Sequence, residues 1–102
     1  MPIEFQPVPR IELDRTVGQM ETEFRAASFV RPVRRAEAIL KGFELRYTNG
    51  DHHILKEQVA LSTRINGNTV EVRADVLLRD GSGNIDDPFD GWVDAVVIAE
   101  TA

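Results

Sequence analysis

Two runs of alternating apolar and polar residues meet at Asn66-Gly67, and this junction limits what the chain can fold into more than any other feature. After the junction, Val70, Val72, Ala74, Val76 and Leu78 alternate with Thr69, Glu71, Arg73, Asp75 and Arg79. Before it, Leu55, Val59, Leu61, Thr63 and Ile65 alternate with Lys56, Gln58, Ser62 and Arg64. A period of two describes a strand with one buried face. Asn-Gly between two such strands signals a two-residue hairpin turn, because a type I′ turn needs positive φ at both central residues. That loop sets Thr63 opposite Val70, Leu61 opposite Val72, Val59 opposite Ala74 and Leu55 opposite Leu78. The apolar residues then share one face.

The preceding run, Ala38 to Thr48, carries Ile39, Phe43, Leu45 and Tyr47 on one parity. A turn at Asn49-Gly50-Asp51 would pair it with the hairpin, Leu45 opposite Leu55 and Ile39 opposite Leu61. Lys41 and Glu57 would share that face, and a bulge at Gly42 that turns Lys41 outward removes the conflict. The last run, Gly91 to Glu100, has Trp92, Val96 and Ile98 on one side and Val93, Ala95, Val97 and Ala99 on the other. A strand apolar on both sides is central in a sandwich or covered by a partner subunit.

Pro2, Pro7 and Pro9 make residues 1–10 an extended arm. Leu13, Val17, Met20 and Phe24 are spaced for one helical face, but Gly18 interrupts them, so 11–20 stands open between strand and short helix. Phe24, Ala26, Ser28 and Val30 line a strand over Glu23 to Val30, ended by Pro32. The expectation is an all-β protein. It is an antiparallel β-sandwich of about six strands, with an N-terminal arm over 1–20 and a single sandwich domain over 21–102.

The 102 residues fit one domain, and the absence of cysteine excludes disulfides and thiolate chemistry. A formal net charge of −5 argues against nucleic acid as a partner. The longest apolar stretch, Ala95 to Ala99, is too short to cross a bilayer, so no membrane partner is expected. The first residues lack a basic segment followed by an apolar one, so no secretion signal is expected. Basic residues stop at Arg79, while Asp80, Asp86, Asp87, Asp90, Asp94 and Glu100 follow, which makes one part of the molecule acidic.

Three groups of residues carry candidate chemistry. Asp80, Ser82, Asn84 and Asp86 recur at every second position with Asp87 behind them, an oxygen-rich run of the kind that wraps a calcium ion. The EF-hand pattern is not met, since Ile85 and Gly91 stand where its glycine and bidentate glutamate belong. The competing reading is a polar connection whose Asp, Gly, Ser and Asn supply turn conformations. Asp51, His52 and His53 form a second candidate ligand site at a loop tip, although adjacent strand residues face opposite ways and a histidine pair there chelates poorly. Trp92 beside Gly91 is a candidate sugar-stacking residue, set against the commoner role of a core tryptophan. No GxSxG elbow, HExxH helix or phosphate-binding glycine loop is present, so no catalytic residues and no enzyme activity are expected.

Phe29-Val30-Arg31-Pro32-Val33 leading into a long strand, the Gly42-Phe43 step and a final strand ending Val97-Ile98-Ala99 resemble the H-type lectin domain of snail agglutinins. The resemblance covers about two-thirds of the chain. It implies a six-stranded antiparallel sandwich that assembles as trimers, or hexamers of two trimers, and binds N-acetylgalactosamine-type sugars between subunits. The family's tryptophan near the end of the last strand has no counterpart, since Trp92 opens this one, and no sugar-contacting residue is carried over. The expectation is a homo-oligomeric, non-catalytic binding module for a glycan or a partner protein. It would associate through the last strand, with its arm across a neighbour. The alternative is a structural trimerising part of a phage or bacterial appendage, such as a tail, fibre or capsid decoration protein.

Overall fold

The computed structural model describes residues 2–15, 21–47, 54–80 and 89–102, with the backbone alone at 14, 15, 54–56, 79 and 80. The chain is all-β. Its strands are β1 (Ile3–Pro7), β2 (Ile11–Arg15), β3 (Glu21–Ser28), β4 (Val33–Tyr47), β5 (Ile54–Asn66), β6 (Thr69–Asp80) and β7 (Phe89–Thr101). They form two antiparallel sheets packed as a sandwich. In sheet A, β7 is central, with β4 along one edge and β1 and β2 end to end along the other. In sheet B the order is β3-β6-β5. Among the described residues, seven strands therefore fill six strand positions.

The segment expected as an arm across a neighbour is extended, but β1 lies along its own β7, with Phe5 opposite Ile98 and Pro7 opposite Val96. Residues 11–15 are a strand rather than the start of a helix. Pro7 and Pro9 remove two main-chain donors where β1 breaks from β2, and Val8 N spans the gap by donating to Ala95 O at 3.0 Å.

The β5–β6 hairpin turns at Gly67-Asn68 instead of Asn66-Gly67. Asn66 pairs with Thr69, Thr63 with Val72, Leu61 with Ala74 and Glu57 with Leu78. Of the turn residues only Gly67 takes positive φ, at 64°, which suits the first central position of a type II′ turn; a type I′ turn centred on Asn66-Gly67 would force positive φ on Asn66 as well. Because the shift moves partners by two, the same residues face inward, and Val70, Val72, Ala74 and Val76 are wholly buried.

β4 pairs with β7, not with β5, so β4 and β5 lie in different sheets and do not form the expected hairpin. The expected bulge is present: Leu40 pairs with Ala95 and Gly42 with Asp94, which leaves Lys41 unpaired and exposed. One extra residue reverses which parity faces in. Ala36 and Ala38 pack on the core before the bulge, Leu45 and Tyr47 after it, and Ile39 is thereby turned outward.

The core runs the length of the sandwich in two clusters joined at Leu61. One holds Phe29, Val70, Val72, Val97 and Ala99; the other holds Ile11, Leu13, Val76, Leu78, Phe89 and Val93. At one end the β3–β4 corner docks on the hairpin turn. Phe29 N donates to Asn68 O at 2.8 Å, Asn68 Nδ2 donates to Phe29 O at 2.7 Å, and Val33 N donates to Gly67 O at 2.9 Å.

Candidate functional site

The outer face of sheet A departs from what a sandwich normally shows to water. β1 is inverted relative to the usual pattern. Glu4 and Gln6 face the interior side, where Glu4 Oε2 accepts a hydrogen bond from the buried Thr101 Oγ1 at 2.7 Å. Ile3 and Phe5 face out, 56% and 62% exposed. A slip of one residue would bury them, yet the register with β7 holds them outside. Beside them on β7 stand Val96 and Ile98, and beyond those on β4 stands Ile39, 44% exposed. Three neighbouring strands thus place apolar residues on the same solvent side. The outer face of sheet B is more polar: Thr22 Oγ1 donates to Asp75 Oδ1 at 2.6 Å, Arg73 Nε reaches the same oxygen at 3.1 Å, and Phe24, beside a hollow of about 370 Å³, is its one large exposed apolar residue among those described.

Charged residues border the apolar rows. At one end Arg35 Nη2 and Nε donate to Glu100 Oε2 at 2.9 and 3.2 Å, covering a carboxylate that is almost fully buried. A hollow of about 220 Å³ lies there over β7, lined by Ile3, Arg35, Ala36, Glu37, Ile98 and Glu100. At the other end Arg10, from the β1–β2 junction, grips Asp94 through two bonds, Nε to Oδ1 at 3.0 Å and Nη2 to Oδ2 at 2.9 Å. That bidentate pair holds the Asp94 carboxyl below the usual carboxylate range and pushes the Arg10 guanidinium up. Arg46 Nε donates to Asp90 Oδ1 at 2.6 Å, which raises the Arg46 guanidinium in the same way.

Trp92 sits among these charges and not in the core. It is half-buried on the outer face, its Nε1 donating to Glu44 Oε2 at 3.0 Å, while the Arg10 guanidinium lies 4.1 Å from the ring centroid. A shallow cavity of about 160 Å³ beside it is lined by Glu12, Glu44, Arg46, Asp90 and Gly91. Gly91 makes this geometry attainable. Its φ is 150°, and a Cβ there would stand 1.7 Å from the Glu44 carbonyl oxygen, so only glycine lets β7 approach β4 so closely.

Of the other residues singled out from the sequence, Asp51, His52, His53, Ser82, Asn84, Asp86 and Asp87 lie outside the described residues, and Asp80 is placed only by its backbone at the end of β6. The strand ends that bound these segments (Tyr47 and Ile54, Asp80 and Phe89) fall at the same end of the sandwich, as do Arg15 and Glu21. Among the described residues no three His, Asp or Glu side chains gather where they could hold a metal. No described helix is long and apolar enough to cross a membrane. Sequence reasoning passed over Ile3, Phe5, Arg10 and Glu44, and it placed Ile39 on the buried face. The alternation of Ile3 and Phe5 with Glu4 and Gln6 was the available signal for two of them. Compared with protein-family models, curated proteins and solved structures, the chain matches none.

Proposed function

We propose that this chain is a non-catalytic binding and assembly module whose working surface is the outer face of sheet A. The observation that carries this reading is the inversion of β1. A strand that turns Glu4 and Gln6 inward and Ile3 and Phe5 outward, next to Val96, Ile98 and Ile39, suits a face that becomes covered. Recognition by a flat sheet face also fits the two shallow, open hollows of about 160 and 220 Å³ on this face. The test combines sedimentation with titration of an anilinonaphthalene dye on the same sample. The reading requires either an oligomer or a monomer that binds the dye at a site removed by Phe5→Ser. A monomer that ignores the dye ends it.

A carbohydrate ligand is a second reading, supported by the placement of Trp92 on the outer face beside Glu12, Glu44 and Asp90. Arg10 occupies the ring at 4.1 Å, so a sugar that stacks there must displace it. On this reading Arg10→Ala strengthens binding on a glycan array containing N-acetylgalactosamine, and Trp92→Ala abolishes it. An array empty for both the natural chain and Arg10→Ala rules this reading out.

A further inference from the structure

We infer that the occupant of the outer face of sheet A is a second copy of this chain, packed with the same face against it; this rests on that face being the working surface. Three properties of the face point to a copy of itself.

The first is shape. Phe5 stands out from β1 as the most exposed aromatic side chain among the described residues, and next to it over β7 lies the hollow of about 220 Å³ floored by Ile98. A projection and a hollow side by side on one surface are what a two-fold contact uses, since each copy's projection enters the other's hollow. The flanking rows, Ile3 and Ile39, then close on either side.

The second is charge. Immediately around the apolar rows Arg10, Arg35 and Lys41 balance Glu37, Asp94 and Glu100, with two pairs joined within the chain, while toward the Trp92 end Glu12, Glu44 and Asp90 outnumber Arg46. Two such faces meet with balanced charge around their apolar rows, although the whole chain carries −5. A polyanion finds no opposite field at this face.

The third is size. The molecule measures 49 × 18 × 17 Å, so contact along the full length of one face approaches the roughly 800 Å² that each partner contributes to a standard stable interface. The apolar rows supply a central core and the Arg10–Asp94 and Arg46–Asp90 pairs a polar rim, which is the usual anatomy of such a contact. Sheets stack face to face about 10 Å apart, and an identical sheet has the matching twist.

Sedimentation velocity over a hundredfold range of concentration, on the natural chain and on Phe5→Glu, decides the matter, with dye binding as the second readout. A dimer that Phe5→Glu converts to a folded monomer, with unchanged far-ultraviolet circular dichroism, supports the inference. A dimer indifferent to Phe5→Glu and to Ile98→Glu overturns it, because the contact lies elsewhere. A trimer overturns the two-fold pairing. A monomer that binds the dye at a Phe5-dependent site overturns the second copy as occupant but leaves the face as the working surface. A monomer that binds no dye removes both.

Discussion

Phe5 on β1 stands directly opposite Ile98 on β7, and both side chains lie on the solvent side of sheet A. Cross-strand apolar pairs normally mark the buried side of a sheet, where they contribute most to its stability. Here the buried side of the same strand carries Glu4 and Gln6. The pair therefore separates what folds the chain from what the folded chain presents. The consequences can be checked residue by residue.

Gly91 is the position least able to change. An alanine Cβ would fall 1.7 Å from Glu44 O and 2.7 Å from Glu44 C, at a φ of 150° that side chains rarely adopt. The β4–β7 ladder would have to open, at a cost of about 3 kcal/mol or more. Urea unfolding of Gly91→Ala should show a much lower midpoint or no folded protein. A midpoint equal to that of the natural chain would contradict the close approach.

Asn68 ties two corners together through its side chain. Removing the bond from Nδ2 to Phe29 O should cost about 1 kcal/mol. Asn68→Ala should lower the denaturation midpoint without altering the slope, since no core surface is lost. An unchanged midpoint would mean that the main-chain bonds at Phe29 and Val33 alone hold the corner.

Acid should act on the Arg10–Asp94 pair. Its carboxyl titrates below the ordinary range because Arg10 donates two bonds to the charged form. A carboxylate lowered in the folded state stabilises it fully above the unfolded-state value near 3.8 and ceases to do so as pH falls through the lower folded value. Thermal midpoints of Asp94→Asn and the natural chain should thus differ by a constant amount from pH 7 to about 5 and converge below the usual carboxylate range. A difference that grows on acidification would contradict the assignment.

The single tryptophan offers an optical check on the same cluster. With Arg10 held over the indole at 4.1 Å, Arg10→Ala should raise acrylamide quenching of Trp92 emission and shift that emission to the red. Arg34→Ala, at the bulge between Val33 and Arg35, should leave both unchanged. Equal quenching in all three proteins would show that Arg10 does not shield the ring.

The hairpin was legible because β5 and β6 alternate cleanly over ten residues or so, and parity survives an error of two in register. The bulge at Lys41 was legible because a lysine in an apolar row needs an exit. Its effect on Ile39 was not, since parity reverses only once the bulge is placed. The partner of β4 was hidden for a different reason. Asn49-Gly50 signals a turn, but a turn does not state whether the next strand joins the same sheet or the facing one. At the N-terminus the prolines dominate the pattern, and the alternation of Ile3 and Phe5 gains meaning only when β7 is beside it. Trp92 could not be assigned to core or surface while both sides of β7 were apolar.

Light scattering coupled to size exclusion, on untagged protein at micromolar to millimolar concentration, tests the central claim most directly. Face-to-face pairing gives twice the 11.4 kDa chain mass at the upper concentrations and a return to 11.4 kDa in Phe5→Glu. A mass of 11.4 kDa for the natural chain throughout that range would contradict it.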